Sequence, residues 1–154
     1  MRAIILPVAL LVCASSAVIA AEGPQPMEGL WEIVVTPKGA SEPERQLHVC
    51  VRDLSGDVFA HVEAGLDCAA PEWQQNGPRW QVVDRCTGPQ GNVQRSGVFG
   101  GDFAYNFQGD LLTRRDGASR TLQVDGRRLS PCRDLQPGEI RIKGENGVNL
   151  NRAR

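Results

Sequence analysis

The chain has 154 residues, 41% hydrophobic but only 5% aromatic, and 17 basic against 18 acidic side chains leave a formal net charge of -1. That balance argues against a general nucleic-acid binder, and the length fits one domain rather than two independent cores. The charge is unevenly placed: residues 21–110 hold six Lys or Arg against thirteen Asp or Glu, and residues 111–154 hold ten against five. Either adjacent strands carry opposite rims that attract one another, or a basic C-terminal surface meets an acidic partner.

The first segment has Arg2, then an uncharged apolar run from Ala3 to Val12, then small residues up to Ala21. This is the pattern of a cleavable signal peptide over residues 1–20, cut after Ala20 or Ala21, and it places the mature protein in the periplasm. The run is too short for a membrane span, so no transmembrane segment is expected in the mature chain. Val12 stands where a lipoprotein signal wants a small residue, which argues against lipidation at Cys13.

Residues 21–27 read as a flexible leader, residues 28–143 as a single β-domain and residues 144–154 as a polar tail. In Leu30–Thr36, Trp31, Ile33 and Val35 share one face of a strand that stops at Pro37-Lys38-Gly39. From Gln46 to Arg52, Leu47, Val49 and Val51 point one way, which puts His48 and Cys50 on the other face. Asp57 with Val58, Phe59, Val62 and a closing Gly65 predicts one short helix.

Glu72–Gln75 and Trp80–Cys86 flank Asn76-Gly77-Pro78 and predict a strand pair. Val93–Phe99 and Asp102–Gln108 flank Gly100-Gly101, which predicts a primed two-residue turn with Phe103, Tyr105 and Phe107 on one face. Asp116-Gly117 and Asp125-Gly126 are further turn signals around Leu111–Arg114 and Arg120–Val124. Gly126–Cys132 and Glu139–Lys143 are candidate edge strands. Short strands at this spacing predict an antiparallel meander, forming a small barrel or a strongly curved sheet with one short helix.

Cys50, Cys68, Cys86 and Cys132 remain after export, and an oxidising compartment makes them disulfides. Four cysteines allow three pairings; local order favours Cys50 with Cys68 and Cys86 with Cys132. A metal site using them with His48 or His61 is not expected, since no Cys-x-x-Cys pair occurs. No cofactor is implied either. There is no Gly-x-Ser-x-Gly elbow and no phosphate-binding loop, and carboxylate pairs such as Glu42 with Glu44 or Glu28 with Glu32 sit beside turns.

Those residues support no catalytic assignment. Trp31, Trp80, Phe103, Tyr105 and Phe107 are the candidates for lining a ligand cavity, the alternative being that they form the core. The expected function is non-enzymatic binding of a small apolar ligand or an envelope component. An interaction module acting as inhibitor or assembly accessory, through Thr87–Gly91 or the basic C-terminus, is the first alternative, and an unrecognised hydrolase the second.

Met27-Glu28-Gly29-Leu30-Trp31-Glu32, Val49-Cys50-Val51, Cys68, Trp80 leading to Cys86, and Gly126–Cys132 together form a pattern. It resembles the bacterial exported domain-of-unknown-function family numbered thirty-six seventeen. The resemblance implies a mostly β envelope protein and carries no catalytic residues. Gly29-Leu30-Trp31 is also similar to the Gly-x-Trp signature of lipocalin-like barrels. That likeness implies a Trp31 that closes the barrel floor, with Arg127, Arg128 or Arg141 stacked on it.

Overall fold

The computed structural model describes residues 22–52, 59, 62–133 and 140–142, the last three by their backbone alone. The predicted signal peptide and polar tail lie outside the described residues. Among the described residues, nine strands form one antiparallel sheet: β1 (Gly29–Pro37), β2 (Arg45–Val51), β3 (Asp67–Cys68), β4 (Glu72–Asn76), β5 (Arg79–Gly88), β6 (Gly91–Gly101), β7 (Asn106–Arg115), β8 (Ala118–Ser130) and β9 (Ile140–Ile142). Their order is β3-β5-β6-β7-β8-β1-β2-β9, and β4 lies beside β3 along the same edge of β5. The sheet curls into a half-barrel, and among the described residues its two edges do not pair.

Alternation along each strand decides which side faces in. Trp31, Ile33 and Val35 of β1, Leu47, Val49 and Val51 of β2, and Val82, Phe99, Phe107, Leu111, Leu122 and Val124 from β5–β8 are all buried on the concave face. Each such side chain contributes about 1.5–3 kcal/mol relative to exposure. The curl depends on glycines that face inward opposite large rings. Phe107 stands opposite Gly126 and Phe99 opposite Gly109, and each ring lies over the glycine where a side chain would otherwise stand.

Two turn expectations fail. Gly100-Gly101 is not a hairpin loop: both residues continue β6, paired with Gln108 and Phe107. The reversal comes at residues 102–105, where Asp102 Oδ1 accepts the backbone N–H groups of Ala104, Tyr105 and Asn106. Those three charge-assisted bonds also stabilise the left-handed φ of 51° at Phe103. Asp125-Gly126 is likewise strand, because Gly126 is the seat of the Phe107 ring rather than a corner. Asp116-Gly117 does turn, with positive φ at both residues.

The predicted helix falls mostly outside the described residues; Phe59 and Val62–Gly65 are turns and bends, and no helix occurs among the described residues. Phe59 and Val62 belong to the β2–β3 connection and lie in the concave core. Phe59 alone meets Trp73, Phe99 and Phe107, at ring-centre distances of 5.0, 4.4 and 5.1 Å. On another side, residues before β1 strap across the sheet. Met27 N–H donates to the Phe103 carbonyl, Pro26 is buried and Gly23 lies against the Trp73 indole.

The disulfides are Cys50–Cys132 and Cys68–Cys86, which corrects the local pairing of Cys50 with Cys68 and Cys86 with Cys132. β3 lies antiparallel to β5 with Cys68 directly opposite Cys86, so that pair is a cross-strand staple. β8 and β2 flank β1, and Cys132, two residues beyond the Leu30–Ser130 pairing, crosses the start of β1 to reach Cys50. Sheet order, not proximity in sequence, chooses the partners.

Candidate functional site

Of the aromatic residues predicted to line a ligand cavity, three are packed in the core. Trp31, Phe103 and Phe107 are 0, 6 and 2% exposed and pack on one another: Phe103 stacks on Phe107 at 5.7 Å, and Trp31 meets Phe107 at 5.6 Å. Trp80 is half-buried and edge-on to Trp73. Tyr105 points the opposite way and is 61% exposed, so Phe103, Tyr105 and Phe107 do not line a single face. The 102–105 turn rotates the chain between them.

Trp31 is held by partners other than the arginines of the floor analogy. Its Nε1 donates to the Met27 carbonyl at 2.8 Å and its ring meets Phe107. Arg127 instead pairs with Glu32, and Arg128 Nε donates to the Glu28 carbonyl. The Arg141 side chain lies outside the described residues.

A polar row crosses the sheet beside this core, buried at its first three members and exposed at the last. Asp84, Arg95, Thr113 and Arg120 stand opposite one another on β5, β6, β7 and β8. Arg95, 1% exposed, makes a two-pronged contact with Asp84, the strongest geometry for a guanidinium and a carboxylate. Glu63 comes down from the β2–β3 connection, accepting from Thr113 at 2.8 Å and from Arg120 at 2.7 Å. Its hydrogen bond holds the Arg120 guanidinium still more firmly protonated. Thus Glu63 is held to the sheet by an ion pair, and Phe59 of the same connection by its ring contacts. Strand alternation alone places Asp84, Arg95 and Thr113 inward, although no sequence motif marks them.

Cys68, Asp84 and Cys86 bring three potential metal-ligating atoms within 4.8 Å of one another. Two of those are disulfide sulfurs, and Asp84 is held by Arg95, so the set does not offer a cation free ligands. His48 lies on the outer face, its Nε2 3.7 Å from Glu32 Oε1, while Gln46 and Arg127 also donate to Glu32. His61 lies outside the described residues.

Burial alone would raise the Glu32 carboxyl, but the bond from Arg127, aided by Gln46 and His48, outweighs it and lowers the pKa. A carboxylate held ionised among three donors is poorly suited to accept protons near neutral pH. A pH dependence follows. A folded pKa below the unfolded value, near 4.5, gives stability that is full above that pH and lost as pH falls through the folded value. Arg127→Gln is expected to lower stability near pH 7 by less than about 1 kcal/mol, since Arg127 is exposed, and to make a smaller difference near pH 3. Urea melts at the two pH values check this; an equal deficit at both would remove the Glu32 explanation.

The outer surface carries the open features. A shallow trough of about 650 Å³ crosses β5–β8, bordered by the exposed Val83 and Val98 and by Gln81, Gln108 and Gln123. A second depression, about 710 Å³, opens between the tips of the β5–β6 and β7–β8 hairpins and is lined by Arg85, Arg114 and Arg115. Of the predicted loop Thr87–Gly91, Thr87 lines it, and Gln90 accepts from Arg115 beside it. Among the described residues no helix is long and apolar enough to cross a membrane.

No curated protein and no solved structure matches the chain. A family model does, the one described as "Protein of unknown function (DUF3617)", over residues 24–132. That stretch contains β1–β8 and both disulfides. It includes the Gly29-Leu30-Trp31-Glu32 opening and all four cysteines on which the resemblance rested, and the chain belongs to this family.

Proposed function

We propose that this is an exported, non-enzymatic binding module that meets an envelope component on the outside of its half-barrel. The observation that carries the reading is where the aromatic side chains go. Trp31, Phe103 and Phe107, which an interior apolar site would use, are consumed in contacts with one another and with Phe59. The trough and the inter-hairpin depression remain open to partners. Export is supported by the leader pattern and by two disulfides, which persist in oxidising compartments. The polar groups around His48 support an ion-pair cluster rather than an acid–base pair.

Native mass spectrometry of the chain recovered from the periplasm tests this. The expected spectrum is the bare, doubly disulfide-bonded mass. A retained apolar molecule, displaced by substitution of Phe59, would move the binding site to the interior and overturn the outer-surface reading.

A further inference from the structure

The geometry points to the depression between the two hairpin tips as a binding site for a phosphate monoester carried on a sugar-sized or lipid headgroup. This deepens the outer-surface reading and rests on it. β6 and β7 pair only as far as Gln94 and Arg114; beyond that rung the hairpins separate, leaving Val93 paired to Cys86 of β5 alone. The gap between them is the 710 Å³ depression. That volume lies within the roughly 300–1,000 Å³ range of small-molecule sites and exceeds what a single tetrahedral ion fills.

Charge in the depression is one-sided. Arg85 and Arg114 flank Gln94 on the outer face, about 10 Å apart at two strand spacings, and Arg115 enters from the next position. Asp116 is the one carboxylate in the lining, which leaves two positive charges in excess. Elsewhere on the sheet Arg95, Arg120 and Arg127 each face a carboxylate. Among the described residues, Arg85, Arg114 and Arg115 form no ion pair with one. Arg115 is held instead by a neutral group, its Nη1 donating to Gln90 Oε1 at 2.7 Å, and its Nε is enclosed without a protein acceptor.

Guanidinium groups match a phosphate two bonds at a time, and a doubly charged monoester balances the excess. Asn92 and Gln94 in the same lining add amide donors and acceptors suited to sugar hydroxyls. The basic half of the chain thereby acquires a specific focus in place of a diffuse field.

Calorimetric titration of the full chain with glucose 1-phosphate, and sedimentation with phosphatidylcholine vesicles carrying phosphatidic acid, test the site. Saturable binding is expected that weakens with added salt and falls about tenfold in Arg85→Gln and in Arg114→Gln. Arg127→Gln, the same change of charge away from the depression, should leave it unaltered. Binding of the soluble ester identifies a free phosphorylated ligand; binding to vesicles alone, with the same dependence on Arg85 and Arg114, identifies a headgroup. Absence of both, or equal loss in all three folded variants, overturns the proposal. A bare native mass without phosphate binding removes this site but leaves the outer-surface reading standing, whereas an interior adduct removes that reading itself.

Discussion

Removing Cys50–Cys132 by paired alanine substitution is expected to cost about 4.5 kcal/mol, against about 3 kcal/mol for Cys68–Cys86. The sequence separations are 82 and 18 residues, and the entropy withdrawn from the unfolded chain grows with the logarithm of the closed loop. The long tie also does structural work that the short one does not. It fixes the end of β8 to β2 across the start of β1, and Arg52 Nη2 reaches the Cys132 carbonyl at the same place. The short staple joins residues already paired in adjacent strands. Denaturant midpoints for the two double variants measure the order. A larger loss from Cys68→Ala/Cys86→Ala would contradict it, and disulfide mapping by peptide mass checks the connectivity independently.

Gly126→Ala should cost about 3 kcal/mol, at the upper end for overpacking in a core. A Cβ there would fall on Cε1 and Cζ of Phe107 and stand 2.7 Å from its Cδ1. Phe107 has no easy retreat, because Phe103, Trp31, Phe59 and Phe99 hold its ring from the other sides. The cost should therefore depend on that ring. In a Phe107→Ala background, itself less stable by about 3–5 kcal/mol, the added methyl should cost little. A double-mutant cycle reads the coupling directly; equal effects in both backgrounds would mean that Gly126 acts through its backbone and not as a seat for the ring.

That glycine also shows where local sequence rules stop. Asp116-Gly117 and Asp125-Gly126 are the same dipeptide, yet the first turns and the second runs on as strand. Local preference is identical at the two positions. What differs is the residue opposite: Phe107 faces Gly126 from β7, and its bulk needs the missing side chain. Gly100-Gly101 also runs on as strand, and there the reversal moves to Asp102, whose carboxylate collects three N–H groups at once.

The candidate site was only partly legible for a related reason. Arg85 and Arg114 are visible as charges in the sequence, but they belong to strands separated by β6, and nothing local brings them together. The same holds for Glu63 and Arg120, which are 57 residues apart. Aromatic residues were easy to recognise and hard to place, since Phe103 and Tyr105 lie on opposite sides of one turn.

Alternation of Trp31, Ile33 and Val35, and of Leu47, Val49 and Val51, determines by itself that these segments are strands with one buried face. The leader pattern and four cysteines likewise establish the expectation of an oxidising compartment without coordinates. Tertiary structure decided which cysteines meet, that Phe59 and Val62 pack in the concave core, and that three arginines line the gap between hairpins. The physical division is that side-chain alternation is a property of each strand alone, whereas partners are set by sheet order, which places β1 and β2 beyond β8 and brings Cys132 back to Cys50.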